Sequence, residues 1–286
     1  MNNTESLESR SNVDSPAAAE QRESEQFRAL VLSRDFKAPL LPGDAAKLLE
    51  LSGNAEASIR ELEQAIRNDP LVAARVISLA NSAAYARSGT VSSLKQASMR
   101  IGADGLRDLL AQAVAESYIF RGQKRKLEQI RRHSVAVAHL ARKACHMLDL
   151  DPEMAFLCGL FHDVGHPILL QMLASGVLPE IKVCAPKQLI DGLHPLVGER
   201  VAKDWGLPYE VGEVARFHHM PQCCAEGRVK ELTRVVAGVD RLAYHLHIGE
   251  KELNVELEDD PRWEEVGFSL GGVMQLRECA LEMSFN

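Results

Sequence analysis

Gly159-Leu160-Phe161-His162-Asp163-Val164-Gly165-His166-Pro167 sets a histidine and an aspartate side by side between two apolar runs, Met154–Leu160 and Ile168–Leu173. Burying an unpaired polar group costs on the order of 2–7 kcal/mol, and burying a charge costs more. These side chains therefore reach water or are buried together with compensating charge. The second alternative demands partners from elsewhere in the chain.

Five segments around this stretch have helical periodicity, and each sets an ionisable residue on its apolar stripe. The first runs from about Leu127 to Leu148, with Val137, Leu140, Ala141, Ala144 and Leu148 as the stripe and His133 four residues before Val137. The second opens on Asp151-Pro152-Glu153, an N-cap followed by proline, and runs through His162-Asp163 to about Gly165. The third starts around His194, carries Val197, Val201 and Trp205, and stops before Gly206-Leu207-Pro208. The fourth runs from Tyr209 to about His219, where Val211, Val214 and Ala215 lead to His218, with His219 turned about 100° away. The fifth runs from Glu231 to His247 and sets Asp240 among Leu232, Val235, Val236, Val239 and Ala243.

One histidine on an apolar face is most often a satisfied core residue. Several His and Asp residues on different inward faces are another matter, because burying each independently exceeds a folding free energy of roughly 5–15 kcal/mol. Convergence on a divalent cation removes the conflict, since neutral imidazole and carboxylate are its ordinary ligands. A His/Asp set without thiolate suits iron, manganese or zinc, as one or two ions. With open positions, such a site activates water and polarises a phosphoryl oxygen. His139 and His146 fall off the stripe and are expected at the surface, as are His245 and His247 after the fifth helix. His166 follows the central pair and is ambiguous, the mouth of the site being one place for it. Cys223-Cys224 are not expected to be ligands.

Upstream, the pattern is also helical. It begins at Phe27, is broken by Pro39 and Pro42, and resumes with Asp44 as cap of a helix through Leu51. A helix over Ser58–Arg67 follows. Next, Asp69-Pro70 opens a segment with Val72, Val76, Leu79, Ala80 and Ala83 on one face, interrupted by Asn81-Ser82. A further helix starts near Ser92, pauses at Gly102 and gives way to one over Asp104–Tyr118. No strand alternation competes. The expectation is an all-α protein: a disordered leader over residues 1–26, an N-terminal helical subdomain over 27–120, a second helical bundle over 121–249, and an acidic linker with a C-terminal helix over 250–286. Arg121, Lys124, Arg125, Lys126, Arg131 and Arg132 form either a solvated linker or a phosphate-attracting rim.

Composition bounds the function classes. The chain has 286 residues, 46% hydrophobic, with a net charge of −7 spread along it, so no nucleic-acid footprint is expected. The six cysteines contain no CxxC pair and read as reduced thiols. No apolar run approaches the ~20 residues of a membrane span, and no signal pattern is seen. A cytoplasmic location without membrane contact is expected.

His133, His162-Asp163, His194, His218-His219 and Asp240 resemble the ligand series of the HD superfamily of metal-dependent phosphohydrolases, and the 29 residues between His133 and His162 fit it. The narrower resemblance is to the HDOD domain. It rests on Asp69-Pro70-Leu71, Leu79-Ala80-Asn81-Ser82-Ala83-Ala84-Tyr85, Ile101-Gly102, the central stretch, Val197-Gly198 and Trp205-Gly206-Leu207-Pro208, and covers roughly Phe36 to His247. The resemblance implies an N-terminal helical subdomain packed on an HD-like bundle, in a bacterial signalling module related to the HD-GYP phosphodiesterases of cyclic di-GMP. Two family features differ. HD-GYP enzymes carry lysine where His166 stands, and an acid followed by Gly-Tyr-Pro where this chain has Met220-Pro221-Gln222-Cys223-Cys224.

Two functions follow. One is a non-catalytic regulatory module acting through contacts with signalling proteins. The other is a metal-dependent phosphohydrolase acting on a nucleotide or phosphodiester. In the latter His133, His162, Asp163 and Asp240 hold a first metal, His194, His218 and His219 a second or the substrate phosphate, and Asp163 bridges the metals or orients the attacking water.

Overall fold

The structure, a computed structural model, describes residues 16–33, 36–37, 39, 41–82, 84–85, 89–120, 125–174, 187–249 and 253–282. The regular elements among the described residues are helical, as the periodicity predicts. The first half contains α1 (Pro16–Leu32), α2 (Gly43–Ser52), α3 (Ile59–Arg67), α4 (Pro70–Ala80) and α5 (Leu94–Val114), and a π-helical turn, Ala115–Ile119, extends α5. The second half contains α6 (Arg125–Leu148), α7 (Pro152–Phe161), α8 (Gly165–Ala174), α9 (Lys187–Asp204), α10 (Tyr209–Phe217), α11 (Arg228–His245), α12 (Arg262–Val266) and α13 (Leu270–Glu282).

Local chemistry sets the boundaries. Ser58 and Glu61 form a reciprocal capping box on α3. The Asp69 carboxylate accepts from the Leu71 and Val72 amides, and that of Asp151 from the Glu153 and Met154 amides. Each such cap stabilises its helix by about 1 kcal/mol. α2 starts two residues earlier than expected, with Pro42 rather than Asp44 at the N-cap. Gly102, at φ 74°, bends α5 where a pause was expected.

Three expectations need correction. α1 begins at Pro16, inside the stretch read as a disordered leader. Ala17, Ala18, Ala19 and Glu20 are strong helix formers, and Phe27 and Val31, four residues apart, are both buried. α9 begins at Lys187, seven residues before the expected start near His194, and carries Pro195 inside it. Pro152–Ala174 reaches the length and apolarity of a membrane span, but 83% of that window is buried within the fold. Ala83, Arg121 and Lys124 lie outside the described residues, as do Met1–Ser15.

α2, α3 and α4 pack around α5. α6 lies along α7, α9 is held between α8 and α10, and α11 closes on α6 and α10. The halves meet where α5 touches α7. There Arg142 of α6 pairs with Asp108 of α5 and Glu153 of α7. α1 packs on α9, whose Arg200 donates to the Val31, Leu32 and Ser33 carbonyls at the α1 C-terminus. Those carbonyls have no partner within a helix, and a cation there also complements the helix dipole. A single buried apolar cluster runs through both halves.

Candidate metal centre

The helix that starts at Asp151-Pro152 stops at Phe161, and α8 restarts at Gly165, so His162 and Asp163 lie in a tight break between two buried helices. α6 brings His133 to this break, α9 brings His194, the C-terminal end of α10 brings His218 and His219, and α11 brings Asp240. All seven residues foreseen as ligands therefore meet. They form two adjoining groups, His133/His162/Asp240 and Asp163/His194/His218/His219, and within each group one ligand atom per residue lies within 4.8 Å of the others.

Asp163 stands between the groups rather than wholly in the first. Its Oδ2 is 3.5 Å from His162 Nε2 and 4.0 Å from His133 Nε2. Its Oδ1 is 3.2 Å from His194 Nε2 and 3.4 Å from His218 Nε2.

Three rings are tied by their outer nitrogen. Nδ1–H of His133 donates to the Ile248 carbonyl (2.8 Å), that of His162 to Gly159 (2.7 Å), and that of His218 to Ala215 (3.0 Å). A carbonyl only accepts, so Nδ1 carries the proton and Nε2 is turned inward. His133 Nε2 then faces Asp240 Oδ1 at 2.9 Å. A neutral ring of this tautomer and a carboxylate are both acceptors, so a cation, proton or metal, is needed between them. His162 Nε2 is buried without a hydrogen-bond partner among the described residues, 3.5 Å from Asp163 and 3.6 Å from Asp240. Tethering of the distal imidazole nitrogen is the usual outer arrangement of metal-ligating histidine.

Electrostatics matches this geometry. Burial pushes the Asp163 carboxyl up, but His162 and His166 outweigh it and hold it well below the usual range. Asp240 is likewise held low, its burial outweighed by His133 and His162. Burial, aided by neighbouring imidazoles, pushes His194 down to about 3 and also lowers His219. The burial of His162 is overcome by Asp163 and Asp240, which raise it, so a divalent cation would find ionised carboxylates and neutral His194 and His219, and would displace a proton from His162.

His166, ambiguous in sequence, is buried and stacks on the His194 ring at 3.9 Å. It bridges Asp163 (3.4 Å) and Asp191 (3.2 Å), and these carboxylates overcome its burial and raise it to about 9. It is thus a cation beside the ligands. Tyr244, stacked on His133 at 4.6 Å, was not foreseen. Neither was the role of Ile248, because a main-chain carbonyl leaves no mark in a sequence.

Two surface expectations fail. His139 is buried between Tyr85 and Phe156. His245 donates to buried Asp260 at 2.7 Å, with its side chain 6% exposed. His146 and His247 are exposed, as expected. Cys223 and Cys224 belong to neither ligand group.

The HDOD domain profile matches residues 38–221, more than half of the chain. An uncharacterised protein of Treponema pallidum is 20% identical over 210 residues, 70% of this chain and 41% of its own length. Ribonuclease Y of Deinococcus radiodurans is 30% identical over 128 residues, 45% of this chain and 19% of its own. The chain thus spans less than half of these curated relatives. An HDOD domain protein from Geobacter sulfurreducens superposes with a TM-score of 0.65 at 21% identity, over 93% of this chain and 99% of its own. A candidate metal-dependent phosphohydrolase from Shewanella amazonensis gives 0.66 at 19% identity, over 94% and 100%. At these identities the structural likeness speaks for the fold. With the profile match, the helical architecture and the sequence motifs in agreement, this chain belongs to the HDOD domain family.

Proposed function

We propose that this chain is an HD-like signalling module whose His/Asp centre binds divalent metal as one or two ions, and which acts through contacts with other proteins rather than by turning over a cyclic dinucleotide. The observation that carries the metal reading is the convergence of seven ligand residues, three of them with Nδ1 tied to a main-chain carbonyl. These donors fit a divalent cation of the iron, manganese or zinc type: imidazole and carboxylate, with no thiolate. When bound, such a cation supplies Lewis acidity to an oxyanion.

The protein's own residues set what reaches it. The cavity over Asp163, His133 and His166 measures about 40 Å³ and is rimmed by Lys126, Gln129, Lys187 and Asp191. A single water needs roughly 10–15 Å³, so the enclosed part has room for a few waters or one small oxyanion. Lys126 and Lys187 favour an anion at the rim, in line with the basic stretch seen in the sequence. The signalling reading also draws on a candidate signal transduction protein from Marinobacter aquaeolei, which shares the fold at a TM-score of 0.65 and 20% identity.

A second reading, metal-dependent phosphoester hydrolysis, is favoured by one feature: the Asp163 carboxylate spans both ligand groups, where it can also orient a water.

Metal analysis of the purified chain and of His162→Ala and Asp163→Ala, paired with a phosphodiester turnover assay, tests both readings. We expect stoichiometric transition metal in the wild type, its loss in both variants, and no turnover. A well-folded wild type that takes up no metal ends the metal reading. Turnover abolished by Asp163→Ala replaces the non-catalytic module with the hydrolase.

A further inference from the structure

The imidazoles of the centre are not all held alike. His133, His162 and His218 are tethered through Nδ1, and His194 is stacked on His166. His219 has no such tether among the described residues. Its Nε2 lies 3.1 Å from His194 Nε2, just beyond the last turn of α10. Besides ring contacts with His218 (3.9 Å) and His194 (5.0 Å), its placement depends on its main chain, at a helix end where carbonyls lack intrahelical partners.

That carbonyl is captured from far along the sequence. Arg262, at the start of α12, donates from its guanidinium to the His219 carbonyl at 2.7 Å. Arg262 is itself fixed. Its amide donates to Asp260 Oδ1 (3.0 Å), and its second guanidinium nitrogen donates to Glu265 (2.6 Å). Asp260, 3% exposed, also accepts from Arg241 (2.6 Å) and His245 (2.7 Å) of α11, the helix that carries Asp240. Trp263 is buried next to it and donates to the Leu257 carbonyl. Apart from His219 itself, these residues lie outside the matched span 38–221. The segment after α11 thus ties the α10 end to α11 through one buried carboxylate and one guanidinium.

We propose that Arg262 is a positioning residue of the second ligand group, holding the His219 main chain so that the ring stays directed at His194 and Asp163. This rests on the metal-centre reading above, but it concerns the protein without metal as well. Guanidinium suits the task because its planar fork serves two acceptors at once, while a lysine ammonium on a flexible stem does so less well.

The test uses the full chain with Arg262→Ala and Arg262→Lys, and Arg216→Ala on the outer side of α10 as control. Cobalt(II) is titrated as the metal probe, and imidazole NMR resonances are recorded in metal-free protein, His219 being assigned with His219→Gln. Loss of an outer partner of a metal ligand weakens affinity about 10- to 100-fold. We expect that loss for the equivalent involving His219 in Arg262→Ala, with the His133/His162/Asp240 equivalent retained. Arg262→Lys is expected to fall in between and to serve as the folded comparison, and the control to match wild type. In metal-free protein the His219 ring resonances shift in Arg262→Ala while those of His133 stay. Unchanged His219 resonances, or cobalt binding as tight as in wild type, overturn the proposal. A wild type that binds no cobalt removes the metal-centre reading instead, and the metal-free resonances still decide the role of Arg262.

Discussion

Replacing Gly165 by alanine tests how the fold creates the centre. A Cβ at Gly165 would stand 2.1 Å from the His194 carbonyl oxygen and 2.8 Å from the His194 carbonyl carbon and Cα. Those are main-chain atoms, so no side-chain rotation relieves the contact. α8 and α9 have to part by about 1 Å to restore ordinary contact, and a gap of that size forfeits a quarter to a half of the dispersion energy along the seam. Overpacking of this kind costs about 1–3 kcal/mol and at times more. Gly165 is the first residue of α8, where alanine regains little of the ~1 kcal/mol of interior helix propensity, so the net loss should be about 1–3 kcal/mol. At about 2–4 °C per kcal/mol for a chain of this class, the thermal midpoint falls by roughly 2–12 °C. Gly192→Ala, on the exposed side of the same α9 with nothing within 4 Å of its Cβ, isolates the propensity effect and should gain up to about 1 kcal/mol. Thermal and urea unfolding followed by circular dichroism give both values. A Gly165→Ala protein as stable as Gly192→Ala would refute the close α8–α9 approach on which the position of His194 depends.

Two other outcomes can be measured with the same methods. His139 is buried and lowered by that burial to about 4, against an unfolded value near 6.5; its contribution is complete above pH 6.5 and drains away as pH falls to about 4, a loss of about 3 kcal/mol. Urea unfolding at several pH values should show that slope flattened in His139→Leu, and equal slopes in the two proteins would count against it. Gly249 sits at φ +137°, where an added Cβ would lie 2.9 Å from the Tyr244 ring and 3.1 Å from His133 Nδ1. Gly249→Ala should therefore cost about 1–3 kcal/mol of backbone strain and loosen the His133–Ile248 hydrogen bond; an unchanged thermal midpoint would argue against both.

The sequence made the first layer of the centre legible, because each ligand is a residue type out of place on an apolar stripe. It could not show the second layer. Ile248 acts through its carbonyl and Gly249 through lack of a side chain, while Arg262 lies 43 residues from the histidine it serves. His139 was misplaced because helical periodicity describes one face, whereas α6 is buried against α7 and α11 on more than one. His245 was misplaced for a related reason: its partner Asp260 lies in an acidic stretch that reads as solvated, yet that carboxylate has two cationic or proton-donating partners and can be buried. The caps at Asp69 and Asp151 were legible because they act within three residues.

The long apolar stretch Pro152–Ala174 also contains the His162-Asp163 pair, and this is one fact rather than two. A continuous helix would hold His162 and Asp163 about 100° apart on a single cylinder, and could not direct one into each ligand group. The break between Phe161 and Gly165 frees them: His162 points to Asp240, while Asp163 turns between both groups. Hydrophobic burial on either side of the break drives α7 and α8 into the centre of the bundle, and carries the pair inward with them. There the pair is tolerated only in the company of the other five ligands, so core packing and assembly of the centre are a single folding event. A lesion that opens the core beside the break, such as an alanine at Gly165, should thus disturb ligand geometry and stability together, whereas a change on the far side of α9 should leave the ligands in place.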